Sequence, residues 1–120
     1  MTDILIRTAP GTKSDADYAM SGPWEVRRAL GKFGTMWVVI SVSVRRHLGG
    51  DQRAVAKAIV REILENLVHV PLEDSADERC ISRFAVARTA TSACVNALEA
   101  TLSFYGFRVQ MPSNERCDGD

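Results

Sequence analysis

Histidine is almost missing from this chain: His47 and His69 are the only two in 120 residues. Cysteine is also scarce. Cys80, Cys94 and Cys117 are odd in number and widely spaced, which fits neither a disulfide framework nor the close ligand spacing of a zinc motif. With so few histidines and thiols, no catalytic constellation can be drawn, and neither a metal nor a cofactor is expected. Aromatic residues make up 7% of the chain. Only the group Trp24, Arg27 and Arg28 approaches the interleaving of rings and cations that a nucleic-acid stacking surface needs, and Trp24 and Trp37 are read instead as core anchors. Net charge is zero, so no global field favours nucleic acid, membrane or an acidic substrate. No apolar run reaches the roughly 18 residues that span a bilayer, and the first ten residues lack the basic and apolar regions of a secretory signal. A reduced, cytoplasmic setting is the expectation.

What is present is organised around residues 36 to 68. The run MWVVISVSV places Val38, Ile40, Val42 and Val44 on one face and Ser41, Ser43 and Arg45 on the other, the period-2 pattern of a half-buried strand. The same region supports a competing reading, because Val26, Leu30, Phe33, Trp37, Ile40 and Val44 also recur at helical steps. Gly31 and Gly34 weigh against that helix, at about 1 kcal/mol each relative to Ala. So does the density of β-branched side chains, which lose χ1 freedom in a helix and pack well on a sheet. After the basic turn RRHLGG, residues 51 to 68 read as an amphipathic helix. Asp51 is the expected N-cap, Val55, Ile59, Ile63 and Leu67 form an apolar stripe widened by Ala58 and Leu64, and Pro71 is the stop.

Before this unit, residues 3 to 8 form a short strand by content, with Ile4 and Ile6 on one face. A long loop follows over 9 to 22, and PWEVRRAL reads as a short helix. The loop holds the chain's only motif-like text. Gly11, Thr12, Lys13 and Ser14 after a strand suggest a phosphate loop, in which free amides and a lysine cradle an anion. However, Thr12 separates the glycine from Lys13-Ser14, and no second glycine lies upstream. The words GTKSD, with Met20 further on, resemble the strand-end loop of the aminoimidazole ribonucleotide carboxylases and mutases. The likeness stops there: the glycine-rich continuation and the catalytic histidine motif of that family are absent, so no functional residue is carried over. A plain Asp/Ser turn is the default reading.

After Pro71, LEDSADE is an acidic linker. Residues 77 to 105 then read as a second long helix, with Cys80, Phe84, Ala87, Thr91, Cys94, Leu98 and Leu102 on one stripe and Gly106 as its stop. Its small-residue middle, AVARTATSACVNA, predicts close neighbours. FRVQM alternates as a closing strand over 107 to 111, and Pro112 ends it. Residues 1 to 112 are therefore expected to form one compact domain, with 113 to 120 as a polar, disordered tail.

The expected fold class is α+β: three short strands (3–8, 36–44, 107–111) packed against two long helices (51–68, 77–105) and one short helix. The alternative is an all-α bundle in which residues 23 to 48 form one helix. Charge is unevenly spread. Residues 23 to 62 carry Arg27, Arg28, Lys32, Arg45, Arg46, Arg53, Lys57 and Arg61 against Glu25, Asp51 and Glu62, while Glu73, Asp74, Asp77 and Glu78 follow. This asymmetry suits either two halves of one domain facing each other or an anionic partner. The leading functional expectation is a non-enzymatic protein-interaction domain, an adaptor or accessory protein that binds a protein partner or itself as a homodimer. The second is an anion or nucleic-acid binder using Arg45, Arg46, His47, Arg53 and Lys57. A phosphate-handling enzyme built on Gly11 to Ser14 is a distant third.

Overall fold

The middle of the sheet is the strand at the centre of the sequence pattern. In the computed structural model, which describes residues 3–11, 24, 27, 28, 37–44, 49–72 and 79–111, five strands assemble in the order β3-β4-β2-β1-β5. They are β1 (Asp3–Pro10), β2 (Trp37–Val44), β3 (His69–Pro71), β4 (Cys80–Ala87) and β5 (Arg108–Gln110). Among the described residues, two α-helices are placed along their whole length, α1 (Gly50–Leu64) and α2 (Thr91–Phe104), the second entered through a 3-10 turn at Arg88–Ala90.

Strand β2 pairs antiparallel with β1 on one side and β4 on the other, β3 pairs antiparallel with β4, and β5 lies parallel to β1. Strands β2 and β3 therefore run in one direction, and β4, β1 and β5 in the other. The crossover β2–α1–β3 spans β4, while β4–α2–β5 spans β2 and β1. These interleaved units form a split β-α-β arrangement in which β1 is inserted beside the central strand.

Both helices pack on one face of the sheet. Ile4, Ile6, Ile40, Val42, Val44, Phe84 and Val86 meet Ala56, Ile59, Val60 and Leu64 of α1 and Cys94, Leu98 and Leu102 of α2 in one core. The alternation expected of β2 holds from Ile40 to Val44. Its opposite face is not wholly polar, because Trp37 and Val39 join Val70, Leu72 and Ala85 in a smaller cluster.

The α+β class is as expected, and β2 excludes a single helix over residues 23 to 48, which would have made the fold a bundle. Several elements differ from the sequence reading. The sheet has five strands rather than three. The largest correction is the proposed helix over 77 to 105. Residues 80 to 87 are strand β4, and the helix starts only at Thr91. Strand β4 lies between two partners and buries Phe84, Ala85 and Val86 in succession. Such a strand loses its two-residue alternation, and a helical stripe can be traced through it by coincidence.

The first long helix is also shorter than expected, ending at Leu64 with a turn into β3. Pro71 is not a stop beyond a helix. It lies in a three-residue edge strand, where a missing N–H costs least. The cap differs too. The cap position is Gly49, with no side-chain hydrogen bond, and Asp51 sits inside the first turn, where its charge suits the positive pole. Finally, the buried face of α1 is rotated toward Ala56, Val60 and Leu64, which leaves Val55 and Ala58 exposed. Trp24, read as a core anchor, is exposed, with the Arg27 guanidinium 5.4 Å over its ring. Trp24, Arg27 and Arg28 are helical, and the rest of the expected short helix lies outside the described residues.

Candidate functional site

Helix α1 separates two clefts that lie on opposite flanks of its buried stripe. The first opens where the start of α1 meets the end of α2. It is lined by Asp51, Gln52, Val55, Tyr105, Gly106 and Phe107 around about 450 Å³ of open space. Its backbone is fixed by the way α2 ends. Gly106 takes φ +94°, the amide of Phe107 donates to the Leu102 carbonyl at 3.0 Å, and the amide of Gly106 donates to the Ser103 carbonyl at 3.0 Å. This is a Schellman closure, with Leu102 and Phe107 in the same core supplying its hydrophobic contact. Because the chain turns there, Phe107 goes inward while the preceding rings stay outside. Phe104 is 83% exposed and Tyr105 58%, their rings edge to face at 5.3 Å, and Val55 across the cleft is 43% exposed.

The second cleft runs between the later turns of α1 and the β3–β4 side of the sheet. Lys57, Val60, Arg61, Leu64 and Glu65 form the helical wall and His69, Ile81 and Ser82 the sheet wall, around about 630 Å³ of open space. A bulge shapes the sheet wall. Val42 faces Ser82 while Ser43 faces Cys80, so Ile81 is an extra residue in β4. An extra residue re-aims its neighbours, and here Ile81 joins the helix-side core beside Ser82. His69 forms a hydrogen bond between Nδ1 and the Leu67 carbonyl at 3.0 Å. Since a carbonyl only accepts, the ring proton lies on Nδ1, which leaves Nε2 for other partners. The Phe84 ring stands edge to face with His69 at 6.4 Å.

Of the residues expected to bind an anion, Arg45, Arg46 and His47 lie outside the described residues. Arg53 and Lys57 share one flank of α1 but do different things. The Arg53 Nη2 donates to the Cys80 carbonyl at 2.8 Å, tying the first turns of α1 to the start of β4. Lys57 is exposed at the second cleft. In the expected phosphate loop, Thr12, Lys13 and Ser14 lie outside the described residues. Gly11 is placed, and it has a packing reason to be glycine: a Cβ there would stand 2.9 Å from the Trp37 ring.

Cys80 and Cys94 are free thiols. Burial pushes the Cys94 thiol from an ordinary 9.0 up to about 11, which keeps it protonated and unreactive near neutral pH. Among the described residues, no helix is long and apolar enough to cross a membrane.

The sequence reading missed Phe104 and Tyr105 as surface residues, and it missed Arg61, His69 and Ser82 as neighbours. The four-residue spacing of Arg53, Lys57 and Arg61 was the available signal for a basic flank. Comparison with protein-family models, curated proteins and solved structures finds no match for this chain.

Proposed function

We propose that this protein is a non-enzymatic interaction domain that docks through the apolar rim of the first cleft, with a second copy of the same chain as its occupant. The observation that carries this reading is the pair Phe104 and Tyr105, two large rings turned to solvent beside a cleft whose far rim is the exposed Val55. Water contact at such rings is unfavourable, and clustered aromatics at a cleft are the usual anchors of protein interfaces. Nothing in the net charge opposes pairing. A chain with zero net charge meets no long-range repulsion from its own copy. A two-fold arrangement would bring the same patch on both copies face to face.

The test is sedimentation velocity over a series from micromolar to near-millimolar protein, with wild type beside Phe104→Ser/Tyr105→Ser. A wild-type dimer that the double substitution dissociates, and that added salt leaves intact, supports an apolar interface at this site. A wild-type monomer throughout removes self-association. A dimer that dissociates with salt and ignores the substitutions would place the contact on the charged surfaces instead.

A further inference from the structure

We propose that the second cleft, between α1 and the β3–β4 side of the sheet, binds a small organic phosphate, independently of the docking surface at the other flank of the helix. Three features of the groove point to this ligand class. The first is charge. Lys57 and Arg61 stand one helical turn apart on the same wall, and among the described residues no hydrogen bond or ion pair engages either side chain. A phosphomonoester satisfies such a pair, since its oxygens accept from an ammonium and a guanidinium at once. The second is the facing wall. The Ser82 hydroxyl can donate to a phosphate oxygen, and the imidazole of His69, its Nδ1 already held by Leu67, keeps Nε2 for a ligand proton. The third is the floor. Val60, Leu64 and Ile81 line the same groove, and the cavity itself, about 290 Å³, lies at the lower end of the range for small-molecule sites. The phosphate is thus assigned to the two cations and an apolar body to the aliphatic floor.

Glu65 sets the orientation. It lines the groove one turn beyond Arg61, at the carbonyl end of α1, and both its carboxylate and the negative helix pole repel an anion. The phosphate therefore lies between Lys57 and Arg61, away from that end.

The experiment is a ¹⁵N–¹H NMR titration at low, constant ionic strength with phenyl phosphate, inorganic phosphate and sodium chloride. Saturable shifts confined to the later half of α1, His69, Ile81 and Ser82 are expected with phenyl phosphate. Weaker shifts at the same residues are expected with inorganic phosphate, and none with chloride. Lys57→Gln and Arg61→Gln should each weaken phenyl phosphate binding by about tenfold, the value of one charge-assisted contact. Glu65→Gln should tighten it. Each substitution is at an exposed position, and the same spectra report whether the variant is folded. Absence of saturable shifts, shifts reproduced by chloride, or binding unchanged in both cation variants would overturn the proposal. Phenyl phosphate binding no tighter than inorganic phosphate would overturn the assignment of an organic body to the floor.

Discussion

The amide of Phe107 donates to the carbonyl of Leu102 at 3.0 Å, and both side chains enter the same core. This one contact ends α2, turns the chain into β5, and leaves Phe104 and Tyr105 on the outside. It depends on Gly106, whose φ of +94° is strained for any residue with a Cβ. Gly106→Ala should destabilise the fold by about 1–2 kcal/mol, the cost of a left-handed backbone in an L-residue. Urea unfolding checks this value, and a variant as stable as wild type would mean that the turn relaxes to another closure.

The burial of the helices gives a paired prediction. Leu98 is wholly buried, while Val55 is exposed on the flank of α1. Leu98→Ala should cost about 2–5 kcal/mol through lost packing and a residual cavity. At dilute protein, where the chain is a monomer, Val55→Ala should stay within about 0.5 kcal/mol, as surface substitutions do. Comparable losses at both positions in thermal melts would contradict the rotated face of α1.

Arg53 joins α1 to the strand beside it through the Cys80 carbonyl. Its role is structural, so Arg53→Met should lower stability by about 1 kcal/mol, the net value of such a hydrogen bond at a partly exposed site. It should leave phosphate binding unchanged. Denaturant midpoints together with the titration above separate this role from that of Lys57.

Cys94 predicts a pH dependence. Its thiol ionises near 9.0 when unfolded and near 11 in the fold, because burial disfavours the thiolate. The folded state therefore holds the proton longer. This contribution to stability is complete below about 9 and is lost as pH rises toward about 11. Wild type should lose stability across that interval more steeply than Cys94→Ala. Equal slopes in denaturation at pH 8, 9, 10 and 11 would contradict a buried thiol.

Much of this fold was legible in the sequence. The β-branched run of β2, the apolar periodicity of α1 and the glycine after α2 each state a local preference that the tertiary structure keeps. Strand β4 was not legible, because a strand buried on both faces loses its alternation, and Ala85 beside Trp37 and Val39 reads equally well as a small helical residue. The face of α1 was misplaced for a related reason. Val55 and Val60 are the same residue type, and only the positions of β4 and α2 decide which one is covered. The second cleft was beyond a linear reading. Lys57 and Arg61 meet Ser82 only because β3 returns beside a bulged β4, and nothing near Ser82 in the chain announces that bulge. Phe104 and Tyr105 resembled the apolar end of a helix until the Leu102–Phe107 closure put them outside.

The central claim, that two copies meet through the rim of the first cleft, is tested most directly by isotope-filtered NMR on a mixture of labelled and unlabelled protein. The account predicts intermolecular contacts from the rings of Phe104 and Tyr105 on one copy to the Val55 methyl groups on the other. Intermolecular contacts that involve none of these three residues, or none at all at near-millimolar protein, would contradict it.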